Sequence, residues 1–526
     1  MVSLLERRRA GSVALALPGL VLSMVLGALD QTIMTPALPE IAADLGGLPR
    51  MPDIVTAYLI AATVAMPVYG KLGDRFGRMP VMQAALGLFL IGAALCGLAT
   101  GMAQLIAFRA IQGLGGGGLM IGAQTILGEI VSPRERGRYL GLIGAAYAVA
   151  VVGGPLLGGV LIDRFGWRWI FALYPPLCVL ASAGLALTLR LPRPTRDRVR
   201  PRLDLLGAAF LAAAVVGLVL LGQTRDPRWV ALAVVGAAGY LLSARRAEDP
   251  ILPLQLFADR AFAVPVAIAF LLGFALFGAL TYLPAYVRIT QGTTATNAGL
   301  LVTALMGGVL LTSVVSGRLI TRTGRYKPYP VAGTLLAGLG FVLLAVLAGG
   351  SGPAALTGVL VLTGLGVGLV MQVMVLAVQN AVAYRDLGVA TSSVTFFRQV
   401  GASAGVAVAG AVLTWRLDGR PAEEALAEAM PLVFWVLVPM LAVAFGLALV
   451  LPARPLRTTA YASTYAEHAE AAERRRPAED GAPVEAPEDR QPATAGGPEG
   501  AQGPPTARGG ASDRGHDDHN DDREQP

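Results

Sequence analysis

Gly70-Lys71-Leu72-Gly73-Asp74-Arg75-Phe76-Gly77-Arg78 is the stretch on which the fold turns. Charged side chains and glycines crowd together here, yet long apolar runs lie on both sides. A charged side chain in hydrocarbon costs about 2.5–3.5 kcal/mol on insertion scales. Such a turn therefore belongs at a membrane–water boundary. A weaker copy follows later, Gly317-Arg318-Leu319-Ile320-Thr321-Arg322-Thr323-Gly324-Arg325, with glycines and arginines in the same register. The pair marks an internal repeat.

Composition agrees with a membrane chain. Of 526 residues, 54% are hydrophobic and 15% charged, and the mean hydropathy is +0.60. Soluble chains average about 25% charged. The formal charge of +7 is carried almost wholly by arginine, with lysine only at Lys71 and Lys327. Its placement beside apolar runs reads as a topogenic signal and not as a nucleic-acid footprint. Cys96 and Cys178 each sit inside an apolar span, which excludes a disulfide framework or a zinc site. The histidines, His468, His516 and His519, fall in a polar tail, so no metal site or histidine-based triad can form in the membrane part. Arg7-Arg8-Arg9 before an apolar run resembles a signal peptide, but the run continues through Asp30 towards Pro36 without a cleavage site, and reads as an uncleaved first helix.

Fourteen apolar spans are predicted, over residues 13–36, 53–71, 81–99, 102–125, 137–161, 168–189, 204–222, 229–244, 261–287, 297–318, 330–349, 354–382, 390–415 and 431–451. Arginines concentrate in alternate loops, which places both termini in the cytoplasm by the positive-inside rule. Aligning the two charged stretches aligns the first two spans with the ninth and tenth. The expected organisation is a first six-helix bundle (1–189), a linker and two inserted helices (190–260), a second six-helix bundle (261–455) and a disordered cytoplasmic tail (456–526). Parallel helical repeats related by an axis along the membrane normal are a transporter architecture. The segment Arg190–Arg202, with Pro192, Pro194 and Pro201, reads as the linker leaving the first half. The tail holds few large apolar residues and cannot bury a core.

Asp30 is the clearest acid deep inside a span. An intramembrane carboxylate must face a partner or a wet cavity. Burial raises a carboxylate's affinity for protons and a nearby cation lowers it, so an acid whose surroundings alternate suits proton coupling. Arg109 is the natural partner. Counted from the outer ends of the first and fourth spans at about 1.5 Å per residue, the two lie near one depth. They can meet directly, or through Gln112, Gln31 or water. The alternatives are a structural contact for Asp30 and a snorkelling Arg109.

Gly113-Leu114-Gly115-Gly116-Gly117-Gly118 matches G-x-G-x-x-G formally, but it lies inside an apolar helix with no strand before it, so a dinucleotide site is excluded. Close helix packing is the physical reading. The same holds for Gly153-Gly154-Pro155-Leu156-Leu157-Gly158-Gly159, whose proline can kink the helix. Gly113, Gly154, Pro155, Gly158 and Gly159 are expected to form a packing or pivot surface. Asp74 is expected to latch the halves by facing a helix N-terminus near Thr391-Ser392-Ser393, with Gly70, Arg75, Gly77, Arg78 and Arg398 contributing. The second copy has Thr321 where the first has Asp74. Asp30 likewise aligns with Phe277, and Arg109 roughly with Leu360. Phe270, Phe274 and Phe277 lie at helical spacing, followed by Tyr282 and Tyr286. Phe274 and Phe277, with Gln31 and Gln112, are candidates for a substrate cavity wall, although such a stripe also serves packing.

These residues carry a resemblance to the major facilitator superfamily, and within it to the fourteen-helix drug:H⁺ antiporters, over residues 12–451. Gly70–Arg78 looks like the superfamily's loop motif between helices 2 and 3. Phe108-Arg109-Ala110-Ile111-Gln112-Gly113 resembles the helix 4 motif, Gly153–Gly159 the antiporter motif of helix 5, and Leu29-Asp30-Gln31-Thr32 with Ala37-Leu38-Pro39 the helix 1 motif. Trp167-Arg168-Trp169-Ile170-Phe171 and Phe397-Arg398-Gln399-Val400-Gly401 are further family-like segments. Ala172-Leu173-Tyr174-Pro175-Pro176 departs from relatives that place Ile-Asn before the proline. The resemblance implies an all-α major facilitator fold and export of amphipathic organic compounds across the plasma membrane in exchange for protons. It implies Asp30 as the proton-linked acid, Arg109 as its modulator and Asp74 as the gate. No enzyme activity, cofactor, metal or nucleic-acid partner is expected. The partners are small organic substrates, protons and the bilayer, and the protein is expected to be a monomer of bacterial origin. Three other readings are export of a self-made metabolite or lipid, a non-transporting sensor that uses the tail, and a membrane enzyme. The last lacks any catalytic constellation at membrane depth.

Overall fold

The computed structural model describes residues 2–189, 203–224, 226–291, 295–347, 352–417 and 422–459. The linker Arg190–Arg202, Arg225, Arg420 and the tail from residue 460 onward, with its three histidines, lie outside the described residues. The chain divides into a unit over Met1–Ala471 and a second, Ala472–Pro526, that falls wholly outside them.

Long helices make up the first unit: α1 (Val2–Ile33), α2 (Met51–Phe76), α3 (Arg78–Gly97), α4 (Met102–Ile130), α5 (Pro133–Phe165), α6 (Tyr174–Thr188), α7 (Leu205–Thr224), α8 (Arg228–Arg246), α9 (Arg260–Leu280), α10 (Ala295–Thr323), α11 (Pro328–Leu347), α12 (Pro353–Ala381), α13 (Leu387–Leu417) and α14 (Ala422–Val450). No strand occurs among the described residues. Local chemistry sets several ends. The Ser132 side chain accepts from Glu135 N at the start of α5, with Pro133 in the first turn, and Asp259 accepts from Ala261 N at 2.9 Å to start α9. Gly77 and Gly324, the matching glycines of the repeat, end α2 and α10 with φ of 96° and 70°. That region is costly for any side chain.

Three elements differ from expectation. The first span does not stop near Pro36: a 3₁₀ turn, Thr35–Ala37, leads into a short helix, Leu38–Leu45. The ninth is broken, with a separate helix Leu283–Gln291 after α9. The eighth forms as α8, but arginines at both of its ends keep it out of the 13 helices among the described residues that are long and apolar enough to cross a membrane.

Helices α1–α6 pack together, as do α9–α14. The halves meet along two seams, α2 with α13 and α5 with α10. Helices α7 and α8 form an antiparallel pair in which Gly217 abuts Ala233 and Gly236 abuts Ala214. This pair lies against both α2 and α13. Gln223 of α7 bonds Thr56 of α2, and Asp249, just after α8, pairs with Lys71. The insertion thus covers one seam.

Past α14 the chain stays bonded beyond residue 456, where the tail was expected to begin. Tyr326 Oη donates to Pro452 O at 2.7 Å, Arg454 pairs with Asp259 at 3.0 Å, Asn380 Nδ2 donates to Pro455 O at 3.2 Å and Arg134 N donates to Arg457 O at 3.2 Å. Leu451–Arg457 is therefore a strap across the end of the molecule that also carries Gly70–Arg78.

Candidate functional site

Two polar clusters lie at opposite ends of the first bundle. The first is built by α1, α2 and α4. Asp30 is 0% and Arg109 1% exposed. Arg109 Nη1 sits 2.9 Å from Asp30 Oδ1 and 2.8 Å from Oδ2. Gln112 Nε2 donates to Asp30 Oδ1 at 3.0 Å, while its Oε1 accepts from Arg109 Nη1 at 3.0 Å. Arg109 Nε donates to Ile54 O at 3.4 Å. Its guanidinium carbon stands 4.5 Å from the centre of the Tyr58 ring, within cation–π range. A buried pair of this kind is tolerable only when its remaining hydrogen-bonding capacity is met. Here Gln112 and Ile54 O each take a further bond of the pair. Gln112 is wholly enclosed in this cluster, so the expectation that it walls a substrate cavity is corrected. Gln31 is half-buried and donates to Met120 Sδ at 3.5 Å, away from the pair.

Glycines bring these helices close enough. A Cβ at Gly113 would strike the Tyr58 backbone, one at Gly117 the Ala62 backbone, and one at Gly115 the Phe89 backbone. Helix α4 is thereby clamped between α2 and α3. Gly154 and Gly158 of α5 press instead on Thr32 and Ile33 of α1. The two glycine runs do not pack on each other, which corrects the expected shared pivot. Gly159 meets no atom within 4 Å, and Pro155 is exposed within a continuous α5. These contacts predict that Gly113→Ala destabilises the protein by about 1–3 kcal/mol through overpacking, a fall in Tm measurable in detergent. Gly153→Ala, which enters open space, should leave Tm unchanged or raise it, since alanine is the better helix former.

The second cluster joins the halves. Asp74 Oδ1 accepts from Gly388 N at 2.8 Å and Oδ2 from Val389 N at 2.9 Å, so its carboxylate caps the first turn of α13. A carboxylate there meets both unsatisfied N–H groups and the positive end of the helix dipole. Arg78 bridges onward: Nη2 lies 3.0 Å from Asp74 and 3.1 Å from Tyr384 O, and Nη1 2.8 Å from Glu129 of α4. Its guanidinium stands 4.6 Å from the Tyr384 ring centre, and the Tyr384 hydroxyl donates to Glu129. Gly70 permits the approach, since a Cβ there would enter Ser392 and Gly388. Arg136 of α5, buried beside this cluster, donates to Gln379 at 3.2 Å and to Val131 O at 2.9 Å.

Sequence placed the helix start at Thr391; it lies at Leu387, because Tyr384–Asp386 already forms a 3₁₀ turn that leads straight in. Arg398 is not part of the latch. It lies ten residues beyond Gly388, about 15 Å along the helix, and no bond joins it to Asp74. Arg75 stacks beside Phe76, 5.4 Å from its ring centre. Glu129, Tyr384, Arg136 and Tyr58 were not foreseen. Glu129 had a signal: an acid in the last turn of an otherwise apolar helix. Tyr174, at the departure from the Ile-Asn pattern, is buried edge-on against Phe89, with centroids 5.3 Å apart. Phe270, Phe274 and Phe277 run along one partly buried face of α9, the first two with centroids 6.3 Å apart.

The Major Facilitator Superfamily model matches residues 20–406 and 269–478. The chain belongs to the major facilitator superfamily. It is 40% identical over 425 residues to an uncharacterized MFS-type transporter of Mycobacterium tuberculosis (strain ATCC 25618 / H37Rv), covering 78% of this chain but only 61% of that relative. With the multidrug transporter protein MdtP of Bacillus subtilis (strain 168) it shares 35% identity over 413 residues, 76% of this chain and 75% of the relative. The fold is that of solved facilitators such as the proton:xylose symporter XylE, at a TM-score of 0.60 and 15% identity, covering 87% of this chain and 99% of that one. As a major facilitator protein with many membrane-length apolar helices, the chain is a multi-pass membrane protein.

Proposed function

We propose that this facilitator exports amphipathic organic compounds in exchange for protons by alternating access, with the Gly70–Arg78 end in the cytoplasm. The observation that carries this reading is the fully buried Asp30–Arg109 pair, set far from a latch that holds the other end shut. With the carboxylate ionised, the pair is neutral and compact. Protonation of Asp30 would leave Arg109 buried without a counter-charge, a state that costs several kcal/mol. Taking up a proton therefore favours rearrangement of α1 against α4, and losing it favours the arrangement seen here. The latch ties the α2–α3 turn of one half to the α13 start of the other, so a rocking motion must break it. The similarity to MdtP supports organic substrates. The test is transport of a panel of lipophilic dyes and antibiotics into everted proteoliposomes, with and without an imposed proton gradient. Gradient-driven uptake of at least one amphipathic compound is expected. Uptake that ignores the gradient would remove the coupling, and no uptake of any compound would remove the export function.

A further inference from the structure

Among the buried arginines of the helical bundle, Arg78, Arg109 and Arg136 each hold acceptors in the protein. Arg398, in the middle of α13, does not. It is 8% exposed, and among the described residues no carboxylate, carbonyl or amide oxygen bonds it. Its nitrogens are not sealed off, so the little exposure it keeps includes the guanidinium. The stem is fixed from below: a Cβ at Gly273 of α9 would stand 3.1 Å from Arg398 Cγ, and only glycine leaves the room. Across the boundary between the halves, Tyr147 of α5 is the titratable group near its head. An unpaired cation at membrane depth is expensive, and in a bundle interior it marks a ligand or ion path.

We propose that Arg398 is an anion receptor in the transport path, and that the substrates it serves are amphipathic organic acids. This rests on the export reading above. The chemistry of the surroundings sets the class. A planar guanidinium presents paired donors that fit a carboxylate or sulfonate. Gly401 and Gly405 of α13 abut the backbones of Phe270 and Phe274, which brings the partly open aromatic face of α9 beside the arginine. An aromatic or other apolar body can lie on those rings while its anionic end meets Arg398. The bound anion then supplies the counter-charge that no described residue gives Arg398.

The test uses the full chain in proteoliposomes, with anilinonaphthalene sulfonate as the amphipathic anion and ethidium as the amphipathic cation. Wild type should export both. Arg398→Met should lower kcat/KM for the anion by about 10- to 100-fold, the value of a charge-assisted hydrogen bond, and leave ethidium export unchanged. Arg398→Lys should keep anion export with a raised KM. Arg398→Met should also match or exceed wild type in Tm without ligand, because it removes an uncompensated buried charge. Unchanged anion export in Arg398→Met, equal loss of both probes, or failure of that variant to fold would each overturn the proposal in favour of a structural arginine. Ethidium export by wild type without anion export would overturn it and leave the export reading standing, whereas export of neither probe removes both. Native mass spectrometry supplies one more arm. A phospholipid retained by wild type and absent from Arg398→Met would assign the site to a lipid headgroup and overturn the substrate assignment.

Discussion

Asp30→Asn should abolish substrate-induced proton release in proteoliposomes while the protein stays folded. Asparagine keeps the shape and an acceptor for Arg109 and Gln112, both of which touch Asp30 within 3.0 Å, but it carries no exchangeable charge. Arg109 is then left with Gln112, Ile54 O and the Tyr58 ring. Breaking a buried ion pair from one side costs about 3–5 kcal/mol, so Tm should fall clearly. Counterflow, in which labelled substrate exchanges against unlabelled substrate without a gradient, should persist because it needs alternation and no net proton. Asp30→Glu, which retains a titratable carboxyl, should keep measurable proton release. Proton release at the wild-type level in Asp30→Asn would rule out this acid as the coupling group.

The second large effect belongs to Asp74. Asp74→Asn removes the negative charge from the α13 N-terminus and one of the two acceptors that hold Gly388 N and Val389 N. A charge at a helix terminus contributes up to about 2 kcal/mol when partly buried, and a hydrogen bond to a charged group about 1.5–3 kcal/mol. A loss of roughly 2–4 kcal/mol shifts the closed-to-open ratio at this end by about 30- to 1000-fold. Spin labels at the latch ends of α5 and α10 should show the longer distance as the major population. The native cysteines do not interfere, since Cys96 and Cys178 are buried. Net export should fall at least about tenfold, because the protein rarely closes behind its substrate. An unchanged distance distribution would show that the latch does not set the equilibrium.

The fold was legible because hydrocarbon imposes a simple rule: long apolar runs must be helices, and charges must lie at their ends. The repeat of Gly77 at Gly324 then fixed the two halves. Asp30 and Arg109 could be placed at one depth by counting residues, since rise per residue is constant within a helix. Side-chain partners across halves were not legible. Tyr384 and Glu129 are neighbours only because α4 and the start of α13 converge, and nothing local to either residue encodes that. Arg398 misled for a related reason. Sequence showed it a few residues from a capping-type start, but α13 begins four residues earlier, and its helical rise carries the arginine away from the latch. The glycine runs divide: Gly113, Gly115 and Gly117 abut α2 and α3, and Gly154 and Gly158 abut α1, whereas Gly153 and Gly159 face open space, and which helix each meets depends on the three-dimensional order of the helices.

The strap after α14 has a mechanical consequence. Its bonds to Tyr326, Asn380 and Asp259 go to α9–α14 or the loops beside them, whereas Arg457 O accepts from Arg134 N of the first half. In the proposed rocking motion the strap travels with the second half, and Arg457 sits on the line of parting.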